Sequence, residues 1–349
     1  MARVFSIDWR ETTNALAMRP RCSRSRPRTA VQALCVLLTA AVGVLATDAS
    51  AQDWPTQPVK VVVPYGPGGI ADVFGRITAD RLSKMFGRPF VVESRGGAGG
   101  AIGTEYAVRS APDGHTLYFA GGAQFSVLPL MQRLSYDPIK DLTPISMVTL
   151  NGMAFVVNND LPVRSIREFI DYARAHPGKI NYGATGLGAS SHLAPAAFAA
   201  RERLDLVVVP YTATPPSIVA LINGTIQLFF GNVSDVMGTV TGNNARLLAF
   251  STAKRLPQFP AVPTVAETVP NFVMTGWNGY FAPAGTPRPI IDRLAQALAA
   301  ICRDPEVVKL MTDLSVDPVG STPEQLEAAI AADLPIYRAA VEAAGLMRK

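Results

Sequence analysis

A short apolar strand, a glycine-rich loop and an amphipathic helix follow one another between residues 59 and 86. Val59 to Val63 is a β-branched run, which is typical of a strand buried in a parallel sheet. Pro64 ends this strand because it cannot donate to the ladder, and three glycines within 66–69 allow a sharp turn close to a ligand. The helix would direct its unpaired first amides and the positive end of its dipole at that loop. The segment therefore predicts a site for an anion.

The same order of strand, small-residue loop and helix recurs along the chain. Such loops follow the predicted strands Phe90 to Val92 and His115 to Ala120, and the short strand before Gly183. Alternating strands and helices predict a parallel sheet whose ligands lie beyond the carboxyl ends of its strands. Around Asn151 the chain is expected to pass into a second domain, and between Phe272 and Phe281 it is expected to cross back.

We therefore expect an α/β fold with two domains, a central cleft and two crossing strands. Domain 1 would be discontinuous, with residues 52–151 and 275–349, and domain 2 would contain residues 152–274. Ser165 to Glu168 predicts a capping box at a helix start. Pro195 is expected in the first turn of its helix, where proline is tolerated, and residues 121–126 are expected to form a loop.

The first 51 residues have the composition of a secretory signal peptide. Residues 21–28 are rich in arginine, residues 31–46 are apolar, and Ala49 to Ala51 is a small-residue cleavage site. Met18 is the better start for such a leader, and an uncleaved anchor is the alternative. Without residues 1–51 the chain keeps 25 basic and 24 acidic residues, a net charge of +1. The basic total therefore does not indicate nucleic-acid binding.

The chain after the leader has a single cysteine, Cys302, so we expect no internal disulfide. It lies on the apolar face of a predicted helix, which favours a buried packing thiol over a nucleophile. The three histidines, His115, His176 and His192, have no metal-ligand spacing, and no nucleophile or zinc motif is present. We therefore expect no enzyme activity, no metal and no cofactor.

The loops contain Gly, Ser, Thr and Ala but few charges, so an anion would be held mainly by backbone amides and hydroxyls. Asp72 has two interpretations of equal weight: it accepts from amides of its own helix start, or it faces a donor on the ligand. His192 lies in a candidate loop, and we consider it a candidate for contact with the ligand rather than for a general base. We expect packing at a crossing strand, rather than a platform on which a ligand stacks, to be the role of the aromatic residues Trp277, Tyr280 and Phe281.

Several short segments together give the chain a close resemblance to a known family. They are Trp54-Pro55, the segment 64–72 with Arg76, Gly97 to Gly103, 136–138, 141–144, Pro177-Gly178, 183–193, 209–211, 263–267 and 282–287. The chain resembles the extracytoplasmic solute receptors of tripartite tricarboxylate transporters, also called Bug receptors, from about Trp54 to Leu346.

This resemblance implies a periplasmic binding protein of type II-like fold that takes a small carboxylate from its cleft to the membrane subunits of a transporter. It implies that the first glycine loop holds a ligand carboxylate and that residues of domain 2 face it. We expect a monomer that binds no nucleic acid. The candidate ligand-binding residues are Tyr65, Gly66, Pro67, Gly68, Gly69, Asp72, Gln124, Phe125, Thr185, Gly186, Ser190, His192, Tyr211 and Asn232.

The chain departs from the family pattern at two places. Ser94 and Gly96 stand where Asn and Pro are usual, and Thr212-Ala213 replaces a usual Lys-Gly. The missing lysine leaves a monocarboxylate, an aromatic acid or an amide as credible as a dicarboxylate or tricarboxylate, and Gln124 and Phe125 are candidates for that choice. The alternative function is a ligand-binding partner of a sensor system without a transport role.

Overall fold

The computed structural model describes residues 54–66, 70–186 and 188–348, and the predicted leader with Met18 and residues 1–51 lies outside them. The strands are β1 (Val59–Val63), β2 (Phe90–Ser94), β3 (Thr116–Gly121), β4 (Leu142–Asn158), β5 (Ile180–Ala184), β6 (Leu206–Pro210), β7 (Leu228–Asn232), β8 (Ala245–Phe250), β9 (Thr275–Pro283) and β10 (Asp317–Pro318). The α-helices are α1 (Ile70–Phe86), α2 (Ala101–Val108), α3 (Ala123–Ser126), α4 (Leu128–Met131), α5 (Ile166–Ala175), α6 (Ser190–Glu202), α7 (Thr214–Ile222), α8 (Val233–Thr241), α9 (Arg288–Ile301), α10 (Pro305–Asp313) and α11 (Pro323–Ala343).

The described strands form one continuous sheet in the order β2-β1-β3-β9-β4-β7-β5-β6, with β8 and β10 also paired to β4. Strands β2, β1 and β3 are parallel to one another, as are β7, β5 and β6. Strands β9 and β4 lie between the two parallel groups and pair antiparallel. We call the side with β1 the first half of the sheet and the side with β5 the second half.

Strand β4 belongs to both halves. Its residues up to Gly152 pair with β9, where Gly152 lies opposite Thr275. From Met153 onward it pairs with β7 and β8, and Met153 lies opposite Asn232. The chain thus passes from one half to the other in the middle of a strand, and it returns where β9 begins at Thr275.

The first half follows the predicted strand, loop and helix closely. Four of the five residues of β1 are buried because helices cover the sheet, as expected for a parallel strand. Phe74 and Leu82 on α1 are fully buried and join the same core as Val63. Burying each such side chain contributes about 1.5–3 kcal/mol, so this face of α1 fixes the helix, and with it the loop, against the sheet.

The second half has an aromatic core. The ring of Phe155 on β4 packs edge-on against Phe169 of α5 and Phe198 of α6, with centroids 4.8 and 5.1 Å apart. Ser165 caps α5 by accepting from the Glu168 amide at 3.2 Å. The carboxylate of Glu168 accepts from the Arg164 amide rather than from Ser165, so half of the predicted capping box forms.

Two local predictions were wrong. Pro195 is the sixth residue of α6, one turn further in than expected, and it leaves the Ser191 carbonyl without the usual helical donor. Pro195 and its neighbours Leu193 and Ala194 are buried, so packing keeps the helix intact around the proline. Residues 123–126 form the short helix α3 instead of a loop.

Helix α11 connects the two cores. Its first part, with Leu326 and Ile330, packs with residues of β3 and β9, whereas Tyr337 and Val341 pack with the aromatic core of the second half. Thr322 and Gln325 form the complete capping box that the sequence predicts at its start. Cys302 is buried as predicted, and its burial raises the pKa of the thiol to about 11. Over the part of the chain that the structure describes, no helix has the length and apolar character needed to cross a membrane.

Candidate functional site

A cavity of about 390 Å³ lies where the loops of both parallel groups meet the two crossing strands. The first half contributes Tyr65, Ala71, Gly121, Gly122 and Ala123 to its lining. The loop before α6 contributes Gly188, Ala189 and Ser190, and the carboxyl end of β7 contributes Asn232. The cavity therefore lies beyond the carboxyl ends of parallel strands from both halves, as the alternating pattern predicted.

The crossing strands and α11 supply further polar lining. Asn151 comes from β4, Gly276, Trp277 and Asn278 come from β9, and Tyr337 comes from α11. None of the described lining residues carries a charge, and three of them are asparagines. The cavity can therefore offer hydrogen bonds but, among the described residues, no direct ion pair to a ligand.

One glutamine ties together the three loops of the first half. The Tyr65 hydroxyl, after β1, donates to Gln124 Oε1 at 2.6 Å, and Gln124 Nε2 donates to the Gly99 carbonyl, after β2, at 3.2 Å. Gln124 itself follows β3 and is 1% exposed. Burial raises the pKa of Tyr65 to about 12, so this hydroxyl stays protonated and keeps donating.

Asp72 is held within the first half. Its carboxylate accepts two hydrogen bonds from Arg76, both at 3.0 Å, and a third from Ser94 Oγ, also at 3.0 Å. Ser94 belongs to one of the two departures from the family pattern, since asparagine is usual there. In this chain its shorter hydroxyl side chain reaches the Asp72 carboxylate. These contacts pair Asp72 with side chains of its own helix and of β2, and they do not decide between the two interpretations of its role.

The described side-chain bonds of the loop after β5 connect it to the helix that follows it. Ser191 Oγ accepts from the Thr185 amide at 3.0 Å and lies 2.9 Å from Thr185 Oγ1. Gly188 has a φ of +76°, and a Cβ there would lie 2.5 Å from the Met131 sulfur on α4 of the opposite wall. Glycine at this position allows the loop to approach the other half closely.

His192 packs inside the second half behind this loop. It is 3% exposed, its ring lies 6.3 Å from that of Tyr182, and Nδ1 has no hydrogen-bond partner among the described residues. Burial lowers the pKa of His192, which favours the neutral ring. His192 is absent from the described lining of the cavity.

The fourteen predicted site residues fall into three groups. Tyr65, Ser190 and Asn232 line the cavity. Pro67, Gly68 and Gly69 lie outside the described residues. The other eight, which are absent from the described lining, are Gly66, Asp72, Gln124, Phe125, Thr185, Gly186, His192 and Tyr211.

Some of these eight support the lining from behind. Gln124 holds Tyr65, and Thr185 is bonded to the residue after Ser190. Phe125 stacks at 6.1 Å on Trp277 and is 1% exposed, so it packs behind that wall. Tyr211 donates its backbone amide to the Ala184 carbonyl and joins the loops after β5 and β6.

Sequence reasoning missed the asparagines of the crossing strands. Asn151 and Asn278 lie within strands, far from any glycine loop, and only the pairing of β4 with β9 places them at the cavity. Trp277 was expected to serve packing alone, but it also lines the cavity, and its indole donates to Asp333 on α11 at 2.7 Å. Over the described residues no cluster of His, Cys, Asp or Glu could hold a metal ion.

Residues 74–346 match the family described as "Tripartite tricarboxylate transporter family receptor". The chain belongs to this family. The resemblance inferred from the short segments is thereby confirmed, and so is the α/β fold of the periplasmic-binding-protein type. The family consists of periplasmic solute-binding receptors, which are not enzymes.

Three relatives show how far the similarity extends. Protein BugT of Bordetella pertussis is 33% identical over 308 residues, or 87% of this chain and 94% of BugT. The structure of R. palustris Rpa4515 with adipate has 30% identity and a TM-score of 0.74, covering 84% of this chain and 99% of that one. MatC (Rpa3494) from Rhodopseudomonas palustris with bound malate has 27% identity and a TM-score of 0.70, covering 82% and 100%.

Proposed function

We propose that this receptor captures a small carboxylate-bearing organic acid, or its amide, in the cavity between the two halves and delivers it to the membrane subunits of a tripartite tricarboxylate-type transporter. The observation that carries the proposal is the uncharged cavity bounded by carboxyl-end loops of both parallel groups and by both crossing strands. The adipate and malate in two related structures support an organic acid as the ligand class.

Capture would occur by hinge bending of two domains, residues 52–151 with 275–349 and residues 152–274. The change of pairing partner at Gly152 and the start of β9 at Thr275 support hinges at these two points, because the chain passes between the two halves there. Helix α11 contacts both cores, so its second part would slide or bend as the domains close.

The receptor would reach the periplasm through cleavage of residues 1–51 and act there as a monomer without enzyme activity. Intact mass of the protein purified from the periplasmic fraction tests the cleavage, because a chain beginning at Gln52 is expected. A chain that keeps its leader and stays with the membrane would contradict this step.

Thermal unfolding of the periplasmic protein against a panel of organic acids tests the binding function. A true ligand present at 100 times its Kd stabilises the native state by about 2.7 kcal/mol and raises the melting temperature. Ala189→Trp, which fills the cavity, should abolish the rise, whereas Ala175→Trp at an exposed position should leave it unchanged. A rise with nucleotides and with none of the acids would contradict the proposal.

Uptake of the identified acid by cells with and without the receptor tests the transport role. Loss of uptake in cells lacking the receptor is expected. Normal uptake together with loss of a transcriptional response to the acid would favour the role in a sensor system.

A further inference from the structure

Three carboxyl side chains adjoin the residues that line the cavity. Asp235 lies behind Asn232, whose amide nitrogen donates to it at 3.2 Å, and Asp333 lies behind Trp277. Burial raises the pKa of Asp235 and of Asp333, which favours their neutral forms, and Arg76 pairs with Asp72 next to the lining residue Ala71. A second negative charge on a ligand would be buried without a described cation in the lining to pair with it.

The contact with Asp235 determines which end of the Asn232 amide faces the cavity. Because Nδ2 donates to the Asp235 carboxyl, Oδ1 must face away from it. This oxygen lies 4.0 Å from the position that a Cβ would occupy on Gly276, another lining residue. Asn232 therefore presents a hydrogen-bond acceptor to the cavity.

Asn278 is oriented in the same way. Its Nδ2 and its backbone amide both donate to Thr149 Oγ1 at 3.1 Å. Its Oδ1 lies on the other side, 3.2 Å from the position of a Cβ on the lining residue Gly121.

Asn151 adds a third amide to this wall of the cavity. Its Oδ1 is buried and has no hydrogen-bond partner among the described residues, whereas its Nδ2 lies 3.9 Å from the position of a Cβ on Gly276. Asn151 therefore offers its amide nitrogen rather than its oxygen to the cavity.

We infer that the site selects an acid with one carboxylate whose opposite end donates hydrogen bonds, such as a carboxamide or an ammonium group, over a dicarboxylate. The inference rests on the proposed function and specifies its ligand. The oxygens of Asn278 on β9 and of Asn232 on β7 bind the donor end. A second carboxylate has no proton to donate to these two oxygens, and the described lining offers it no cation.

Matched ligands of equal length test this selection by calorimetric titration of the purified receptor. One series is adipate, its monoamide, 6-aminohexanoate and hexanoate, which differ only at one end. The corresponding four-carbon and para-substituted benzoate series cover shorter and aromatic ligands. In the series that fits, the monoamide or the amino acid should bind at least about tenfold more tightly than the dicarboxylate and the methyl-ended acid. The better of the two identifies the donor group.

Variants test whether the asparagines carry the selection. Asn232→Ala and Asn278→Ala should each reduce affinity for the donor-ended ligand by about tenfold and change that for the methyl-ended acid little. Asn244→Ala, at an exposed asparagine outside the described lining, is the matched control and should change neither. Melting temperatures measured without ligand identify a variant that fails to fold. If a variant fails to fold, the affinities of the unaltered receptor for the ligand series decide whether the inference holds.

The outcomes separate the two proposals. A dicarboxylate or methyl-ended acid that binds as tightly as both donor-ended ligands overturns the inference and leaves the receptor function intact. Equal losses for all ligands in Asn232→Ala would also overturn it. If no acid of the three series binds, the receptor function and the inference both fail.

Discussion

The two halves of the sheet present loops to the same cavity but hold them differently. In the first half, Gln124 joins the loops after β1, β2 and β3 through bonds to Tyr65 and Gly99. In the second half the described side-chain bonds are local: Thr185 pairs with Ser191 six residues away, and Asn232 pairs with Asp235 one turn away. The first wall is cross-linked by a buried side chain, whereas in the second wall a backbone bond from the Tyr211 amide to the Ala184 carbonyl joins the loops after β5 and β6.

Because of this difference, we expect the two walls to behave differently when a ligand binds. A wall whose loops are bonded to one another is ordered before the ligand arrives, so it costs little entropy to use. Loops whose side-chain bonds are local can adjust more independently as the halves close. We expect the first half to set affinity through its fixed geometry and the second half to adapt to the ligand.

Gln124→Leu should have the largest effect, because it breaks the cross-link of the first half. It leaves the buried Tyr65 hydroxyl without its acceptor and the Gly99 carbonyl without its donor, at about 1–3 kcal/mol for each group. We expect a loss of about 2–5 kcal/mol in unfolding free energy, by urea titration, and faster hydrogen exchange in all three loops.

The exposed Gln296→Leu is the control and should change the stability within about 0.5 kcal/mol. Tyr65→Phe removes one bond of the network and should cost less than Gln124→Leu. Faster exchange confined to residues 121–126 in Gln124→Leu would show that the three loops are not coupled, and the contrast between the halves would be lost.

The sequence predicts this wall only in part. The β-branched run and Pro64 are local signals, and the apolar spacing after them is helical, so β1 and α1 were placed correctly. Gln124 carries no local signal for its role, because its partners Tyr65 and Gly99 are 59 and 25 residues away. A residue that connects loops can be recognised only after the strands before them are known to be neighbours.

The crossing strands were the least predictable region. The apolar residues 153–157 predict a short strand, but β4 begins eleven residues earlier because its first part pairs with β9. That pairing is with residues 275–283, far along the chain, and it brings Asn151 and Asn278 to the cavity. Helix α10 was missed although Asp304 and Pro305 form a start signal, with Asp304 accepting from the amides of Glu306 and Val307.

Ser191→Ala should have a smaller and more local effect. It removes the acceptor of the Thr185 amide and the partner of its hydroxyl, but Thr185 is partly exposed and water can replace these bonds. We expect a loss of about 1 kcal/mol in unfolding free energy, with faster exchange only in residues 184–193. Exchange that also rises in the loops after β1 and β3 would mean that the second half is cross-linked to the first.

Acidification should give the smallest effect and should act on the second half through His192. Burial lowers the pKa of this ring below its usual value of 6.5, so the folded state favours the neutral form and the unfolded chain takes up a proton first. The stabilisation is therefore complete above the unfolded pKa and is lost as pH falls below it. Between pH 7 and pH 5 the melting temperature should fall more in the unaltered receptor than in His192→Gln.

A matched hydrogen-exchange experiment shows which wall accounts for the loss of stability at low pH. His176→Gln, at an exposed histidine on the end of α5, is the control and should titrate like the unaltered receptor. In the first half, Gln124 does not ionise, and the pKa of Tyr65 is about 12, so the bond between them persists at pH 5. Exchange should consequently rise at pH 5, after correction for its intrinsic pH dependence, in residues 184–193 and not in the loops after β1 and β3. An equal rise in both walls, or the same melting curve in His192→Gln, would show that His192 does not connect pH to the second half.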